Sequence, residues 1–238
     1  NEQDNRLMGR AAKLAILEPS DSQEALDFTR EAFRISEEFD TPVLLRVTTR
    51  VCHSKSLVKV SDRTEVPVKG YVKDIAKRVP IPANARRMHS RVEARLARLS
   101  EWGAGSPLNR MEMGDPSLGI ITSGISYQYV REVCPGASVL KLGLTNPLPW
   151  KLIEDFIGRV SRVVVVEGGD PYLEESIRSR FLVDAVGKGL IPLEGELNPE
   201  LVRKALKPES AVVPVYGETE LPSRPPSLCP GCPHRGAF

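Results

Sequence analysis

The pattern of apolar and polar positions near the start of the chain predicts a strand, a helix and a second strand. Residues 13–18 form a short apolar run, Leu-Ala-Ile-Leu between Lys and Glu, that fits a buried strand. In residues 22–39, apolar side chains recur every three or four positions, and Ser20 with Gln23 has the spacing of a capping box. Residues 43–49 are rich in β-branched residues. Because short loops join these elements, we expect parallel strands in a right-handed crossover.

Alternating strands and helices return in residues 118–218. The valine run in residues 161–169 predicts a central parallel strand, because its residues are apolar on both faces. The other elements predicted are strands at 118–124 and 138–143 and helices at 125–133, 150–160, 171–185 and 199–206, the last capped by Asn198. This alternation predicts a doubly wound, layered α/β unit.

The segment between these units, residues 55–117, has more basic than acidic side chains. A helix is predicted at 89–102, together with an edge strand, whereas two prolines exclude a helix over 78–84. The basic surplus fits either a surface for phosphate or an acidic partner, or a solvated helix face with ion pairs. The second interpretation is favoured because aromatic residues, which binders of single-stranded nucleic acid need, do not alternate with the basic ones.

The composition is that of a globular protein, with 41% apolar and 27% charged residues in 238. A formal charge of +2 gives no general attraction to nucleic acid or to a membrane. The sequence has no apolar run of about 18 residues, the length that a membrane-spanning helix needs. Four cysteines, two of them isolated, do not form a disulfide framework and indicate a reducing cytoplasm.

The strongest chemical signal is the pair Cys229 and Cys232, in the string Cys-Pro-Gly-Cys-Pro-His. Two thiols at this spacing can converge on one metal ion or cluster. Zinc would need two further ligands, and an iron–sulfur cluster would need later cysteines. A thioredoxin-like redox pair is disfavoured, because a proline-rich stretch precedes the motif. The spacing leaves zinc and a cluster equally open, with a metal-free structural turn as the third interpretation.

Three further positions are weaker candidates for a site. Residues 122–124 join a strand to a helix and could bind an anion, although a tight turn is the simpler interpretation. The acid of residues 167–170 follows the valine strand, where open α/β sheets bind ligands, but a carboxylate before two glycines more often caps the next helix. Arg50 and His53, at a predicted strand end, could be a ligand or a base. A histidine without a partner in the sequence is more often structural.

Four strings resemble the family of indolepyruvate:ferredoxin oxidoreductase large (alpha) subunits, in the same order along the chain. They are residues 1–6 (NEQDNR), 17–25 (LEPSDSQEA), 46–54 (RVTTRVCHS) and 228–236 (LCPGCPHRG). The resemblance implies an α/β fold with four parts. Residues 1–54 would be the rear of a pyrimidine-binding domain of a thiamine diphosphate enzyme, and 55–117 a connector. Residues 118–218 would be a transketolase C-terminal-like three-layer α/β domain, and 219–238 the start of the diphosphate-binding domain.

The same resemblance implies an activity. Such enzymes oxidatively decarboxylate aryl pyruvates on thiamine diphosphate with Mg2+, pass electrons through [4Fe-4S] clusters to ferredoxin, and release the acyl group as a coenzyme A thioester. The implied partners are the beta (small) subunit, ferredoxin, the aryl pyruvate and coenzyme A. Asp4, Asn5 and Arg6 would lie near the cofactor, and Cys229 and Cys232 would open a cluster site.

The chain begins without an initiator methionine and stops shortly after Cys232, so we expect an internal piece of a longer polypeptide. On this interpretation the catalytic acid and the magnesium loop lie outside it, and the piece alone is inactive. The alternative hypothesis is a non-catalytic α/β assembly module whose Cys-x-x-Cys tail binds zinc.

Overall fold

The computed structural model describes residues 3–63 and 65–210, which form two β-sheets with helices packed around them. The first part of the chain contains, in order, α1 (Asn5–Ala11), β1 (Ala15–Leu17), α2 (Ser22–Phe39), β2 (Val43–Leu45) and α3 (Thr49–His53). The strands β1 and β2 are parallel, with Ile16 opposite Leu44, as the sequence pattern predicted. Both ends of α2 also lie where they were predicted.

Two details of this first part differ from the prediction. The capping box is shifted by one residue, because Asp21 accepts from the backbone N–H of Glu24 while the Glu24 carboxylate accepts from the N–H of Ser20. The second strand is shorter than predicted, since Thr49–His53 is a helical turn. The preference of β-branched residues for strands is a weak prior, and context overrides it here. Arg50 and His53 therefore lie on a helix, so their prediction at a strand end was wrong.

The middle of the chain is more helical than predicted. It contains α4 (Ile75–Arg78) and α5 (Pro82–Ala104), and then β3 (Arg110–Glu112), which is the predicted edge strand. Excluding a helix over residues 78–84 was wrong, because Pro82 is the first residue of α5. Proline is well suited to that position, where its missing N–H would have no partner within the helix.

The remaining elements form the second α/β unit. They are β4 (Asp115–Ser123), α6 (Ser126–Val133), β5 (Ala137–Leu142), β6 (Leu144–Asn146), α7 (Trp150–Ile157), β7 (Val163–Val166), α8 (Tyr172–Phe181) and α9 (Pro199–Leu206). Four strands form a mixed sheet in the order β3-β5-β4-β7, in which only the β3–β5 pairing is antiparallel. Residues of α6 and α9 pack on one face of this sheet, and residues of α7 and α8 pack on the other.

The valine strand β7 is the last strand of this order and not a central one, which corrects the prediction. All four of its valines are buried, because helices cover both faces. Its outer edge is partly covered by an isolated parallel bridge from Val164 to Val186. The valine run therefore predicted correctly that both faces of β7 are buried. It did not indicate the position of β7 in the strand order.

The strand β6 was not predicted, and it connects the two sheets. It leaves β5 at Gly143 and pairs antiparallel with β1, where Leu17 is opposite Leu144, so the first sheet has the order β2-β1-β6. Within residues 3–63 and 65–210, no helix is long and apolar enough to cross a bilayer.

Candidate functional site

The carboxyl ends of parallel strands from both sheets meet at one boundary, which we call the seam. Glu18 follows β1 and Arg46 follows β2, while Ser123 ends β4 and Glu167 follows β7. Arg46 donates to Glu18 within the first sheet, and Ser123 donates to Glu18 across the two sheets. Glu167 is reached through Arg6 of α1. In open α/β sheets, this edge is where ligands bind.

Glu18 is the acceptor at the centre of the seam. Arg46 donates from Nη1 to its Oε2 at 2.7 Å, and Thr145 donates from Oγ1 to its Oε1 at 2.8 Å. The hydroxyl of Ser123 donates to Oε2 at 3.3 Å. A buried carboxylate is stable only when its lone pairs are satisfied, and here donors from both sheets satisfy them.

Arg6 is the main cation of the seam, and its side chain is 1% exposed. It donates from Nε to Oδ1 of Asp4 at 2.9 Å and from Nη1 to Oε2 of Glu167 at 2.8 Å. Its Nη2 also donates to the carbonyl oxygens of Gly168 and Asp170, at 2.7 and 3.1 Å. One guanidinium therefore ties α1 to the loop after β7.

Burial and charge act against each other on the acids of the seam. Burial raises the pKa of Glu167, although the positive charge of Arg6 and two backbone donors oppose the shift. Burial acts in the same direction on Asp4, but the hydrogen bond and charge of Arg6 outweigh it, and the pKa of Asp4 lies below its ordinary value. Burial acts to lower the pKa of Arg6, but the charge of Glu18, with the hydrogen bond of Asp4 and the charge of Glu167, holds that pKa above its ordinary range, so Arg6 remains cationic.

This geometry bears on the predicted cofactor-binding residues Asp4, Asn5 and Arg6. The side chains of Asp4 and Arg6 are occupied by each other and by the loop after β7, so they do not fit direct contact with thiamine diphosphate. Asn5 is exposed, and its Oδ1 accepts from Nε of Arg46 at 2.9 Å. The assignment of these three residues to a cofactor stays a prediction. Their hydrogen bonds at the seam are observed in the structure.

Two of the weaker candidates have structural roles. The Glu167 carboxylate accepts from the backbone N–H groups of Leu173 and Glu174, so it caps the start of α8, as one of the two interpretations held. In the turn at 122–124, Thr122 donates from Oγ1 to the Val166 carbonyl oxygen at 2.7 Å. Gly124 has φ of +52°, a conformation that favours glycine. These contacts support the tight-turn interpretation.

An open cleft of about 640 Å³ lies between α3, α6 and the start of α9. Arg50 and His53 line one wall, and Tyr129 lines the other. Arg50 donates from Nη2 to Oε2 of Glu196 at 2.9 Å, and both side chains are exposed. Asn198 caps α9 at the rim through the N–H of Leu201. The cleft thus offers a guanidinium, an imidazole and a phenol to a ligand with an anionic group.

The predicted metal ligands Cys229 and Cys232 lie outside the described residues. Among residues 3–63 and 65–210, no group of three or more His, Cys, Asp or Glu side chains could hold a metal ion. Cys52 is exposed and Cys134 is buried, and neither forms a disulfide. The metal site at residues 229 and 232 therefore stays a prediction.

A buried ion pair between Lys141 and Glu24 was missed by the sequence analysis. Nζ of Lys141 lies 2.6 Å from Oε2 of Glu24, and the lysine side chain is fully buried. The same ammonium lies 4.6 Å from the ring centroid of Phe28. The sequence did contain a signal for this pair, because Lys141 is a charged residue inside the apolar run of the predicted strand 138–143. A charged residue in such a strand requires a partner.

Comparisons with known proteins give sequence relatives along the whole chain, although no family model matches it. The chain is 41% identical to indolepyruvate oxidoreductase subunit IorA of Methanothermobacter thermautotrophicus over an alignment of 255 positions that covers 100% of the chain. It is 36% identical, over an alignment of 260 positions, to the subunit of the same name from Archaeoglobus fulgidus. In both cases it covers 41% of the relative, so it spans about two fifths of their length.

The fold also resembles a solved structure. A chain of the 2-oxoglutarate:ferredoxin oxidoreductase from Magnetococcus marinus, with 2-oxoglutarate, coenzyme A and succinyl-CoA bound, superposes with a TM-score of 0.60. The superposition covers 82% of this chain and 42% of that one, at 16% identity. At this identity the similarity concerns the fold alone.

Proposed function

We propose that this chain, a homologue of indolepyruvate oxidoreductase subunit IorA, is part of the large subunit of a 2-oxoacid:ferredoxin oxidoreductase acting on aryl pyruvates. The observation that carries the proposal is the 41% identity to IorA along the entire chain. The superposition on a 2-oxoglutarate:ferredoxin oxidoreductase supports it independently at the level of the fold. Within this proposal, residues 1–54 belong to a pyrimidine-binding domain and 118–218 to a transketolase C-terminal-like domain.

The reaction converts an aryl pyruvate and coenzyme A into an acyl-CoA thioester, carbon dioxide and a proton, while two electrons reduce two ferredoxins. Thiamine diphosphate with Mg2+ supplies the stabilisation of the carbanion when it is bound. We assign no step of this chemistry to Asp4 or Arg6, because protein partners already occupy their side chains. Cys229 and Cys232 are proposed to begin a [4Fe-4S] site that further cysteines of the longer polypeptide complete.

The described residues have two roles in this proposal. The seam fixes the two α/β units relative to each other through Glu18 and Arg6, so that groups on both units keep their positions during turnover. The cleft receives an anionic group, with Arg50 exchanging its Glu196 partner for a substrate or coenzyme A oxygen. A guanidinium favours such an exchange, because its planar array of donors matches carboxylate and phosphate oxygens.

The experiment uses the full-length large subunit, co-expressed in the cytoplasm with its small subunit. The complex of the two subunits is purified without oxygen. Ferredoxin reduction is measured with indolepyruvate, pyruvate or 2-oxoglutarate, each with and without coenzyme A. We expect reduction that depends on both indolepyruvate and coenzyme A. An iron-loaded, intact complex that reduces ferredoxin with none of the three acids would contradict the proposal.

The metal site has its own measurement in the same complex. We expect Cys229→Ser to reduce the iron content and the thiolate-to-iron absorption relative to the wild-type complex. The matched control is Cys52→Ser, since Cys52 is an exposed thiol outside the predicted motif. A colourless wild-type protein that retains zinc would instead favour the non-catalytic module.

A further inference from the structure

An extended segment, residues 55–63 and 65–73, runs over the surface of α2, and we call it the arm. Within these residues the structure contains no helix or strand and no hydrogen bond between two backbone groups. Side chains of α2 hold it in place. The backbone N–H of Lys59 donates to Oε1 of Gln23 at 2.7 Å, Arg30 bonds to Ser61, and Lys69 pairs with Glu37. The arm is thus positioned along α2 while most of its backbone groups remain available.

The arm exposes apolar side chains at high density. Leu57 is 100% exposed and Val68 is 99% exposed. Val60, Val66, Tyr71 and Val72 are also largely exposed. Single exposed apolar residues are common on protein surfaces, whereas a cluster of this kind marks an interaction site. The exposed residues are mainly β-branched or aromatic, the types that strands favour.

The charge around the arm limits what can cover it. Residues 55–104, which include the arm, α4 and α5, contain twelve Lys and Arg against five Asp and Glu. The other residues of the chain contain 21 Lys and Arg against 26 Asp and Glu. A symmetric dimer formed through this surface would place one arm against the other, with like charges opposed. The charge therefore disfavours a second copy and favours an acidic partner.

We propose that the arm is the docking surface for the companion subunit of the oxidoreductase, which adds an extended edge flanked by acidic side chains. This inference rests on the proposed function, since it takes the chain to be one subunit of such an enzyme. Strand addition uses free backbone N–H and C=O groups for affinity and alternate side chains for specificity. The arm supplies both, and its lysines complement the acids of the partner.

The test measures the dissociation constant of the full-length large subunit and its companion subunit, by analytical ultracentrifugation or surface plasmon resonance. One variant, Leu57→Glu with Val68→Glu, replaces the two most exposed apolar side chains of the arm. A second, Lys55→Glu with Lys73→Glu, reverses charge at lysines that make no ion pair within the described residues. The control is Leu182→Glu, a 90% exposed leucine in the second α/β unit. Circular dichroism establishes that each variant is folded.

Both arm variants are expected to weaken the complex by about tenfold or more, and the control by less than about twofold. Raising the salt concentration should weaken the wild-type complex, because salt screens its ion pairs. The difference in affinity between the wild type and the lysine variant should therefore become smaller. In hydrogen exchange, backbone amides of the arm should become protected when the companion subunit binds. Protection elsewhere with an unprotected arm would overturn the proposal.

Two other outcomes would also overturn it. The arm variants could bind the companion subunit as tightly as the wild type does. They could instead abolish self-association of the large subunit alone while leaving companion binding unchanged, which would assign the arm to a second copy. Ferredoxin reduction by the wild-type complex is measured in the same preparations. An active complex that tolerates arm substitution refutes only the docking surface, whereas a wild-type complex without activity refutes the proposed function.

Discussion

The Nζ of Lys141 lies 2.6 Å from Oε2 of Glu24, and this buried ion pair joins β5 of the second unit to the start of α2. Replacing Lys141 with Met removes the cation nearest to the mostly buried Glu24 carboxylate and leaves it with Arg110, whose Nη2 lies 3.0 Å from Oε1 and whose side chain is 44% exposed. We expect a loss of about 2 kcal/mol in the free energy of unfolding, because the buried carboxylate then keeps only a cation that solvent partly screens. Chemical denaturation of the wild type and the variant measures it.

The double variant Lys141→Met with Glu24→Gln is expected to recover part of that loss, since it also removes the buried carboxylate that has lost its nearest cation. Lys151→Met is the control, because its partner Glu101 lies 3.9 Å away and both side chains are exposed. Its effect should stay within about 0.5 kcal/mol. A Lys141→Met protein as stable as this control would show that the pair contributes nothing.

The pH dependence of stability should report on Glu24. Burial acts to raise its pKa, but the charge and hydrogen bond of Lys141 outweigh burial and hold the pKa below the ordinary value. The folded state therefore binds this proton less readily than the unfolded state does. The resulting stabilisation is present above the ordinary glutamate pKa of about 4.3 and is lost as the pH falls through the folded-state value. We expect Glu24→Gln to flatten the acid limb of a plot of unfolding free energy against pH.

Arg6 should not tolerate replacement by lysine. Its guanidinium donates at once to Asp4, to Glu167 and to two carbonyl oxygens, and a single ammonium cannot match this planar arrangement. We expect Arg6→Lys to lower the free energy of unfolding by about 2–4 kcal/mol. Arg34→Lys, at an exposed arginine that pairs with Glu31 and Glu38, should change it by less than about 1 kcal/mol. Thermal or chemical unfolding measures both variants. Equal changes in the free energy of unfolding would show that the guanidinium of Arg6 stabilises the protein no more than an exposed one does.

Gly143 should be intolerant of any side chain. A Cβ there would lie 2.2 Å from the Leu108 carbonyl oxygen and 2.8 Å from Cζ of Phe28. The backbone cannot shift freely, because its N–H donates to Oδ1 of Asn109 at 2.8 Å. Gly143→Ala is expected to cost about 2 kcal/mol or more through overpacking. Gly136→Ala is the control, with no atom within 4 Å of the added Cβ, and it should be nearly neutral in the same denaturation experiment.

The cleft can be examined through Arg50. If it binds an anionic group equally in the ground and transition states, Arg50→Ala should raise KM about tenfold or more and leave kcat nearly unchanged. Arg159→Ala, at an exposed i,i+4 ion pair with Asp155, is the control. Steady-state kinetics of the full complex would contradict the assignment if both variants retained the wild-type KM.

Local signals predicted those elements whose ends are marked by side chains close in sequence. The bounds of α2 and of α9, with Asn198 as its cap, were read correctly because apolar spacing and capping residues occur within a few positions. The strand order was not predicted, since helices cover both faces of β7 and make its valines as buried as those of a central strand. Pro82 was misread because a proline that interrupts a helix and one that begins a helix look alike locally.

The candidate site was less predictable than the fold, for a related reason. Asp4 and Arg6 were singled out, but Glu167, to which Arg6 donates, lies 161 residues after it, and no local pattern connects the two. Glu18 and Lys141 were each visible as charges beside or within apolar runs. Their partners become apparent only when the two sheets are brought together.

The crossing of β6 from one sheet to the other has a consequence for anyone dividing this protein. A cut between Ala104 and Gly105 would separate β1 from its antiparallel neighbour β6, which would remain in the downstream piece. The upstream half would then expose the edge of β1 that pairs with β6. The downstream half would contain β6 without the strand that it pairs with. We therefore expect the two units to be stable only when they are expressed together in one chain.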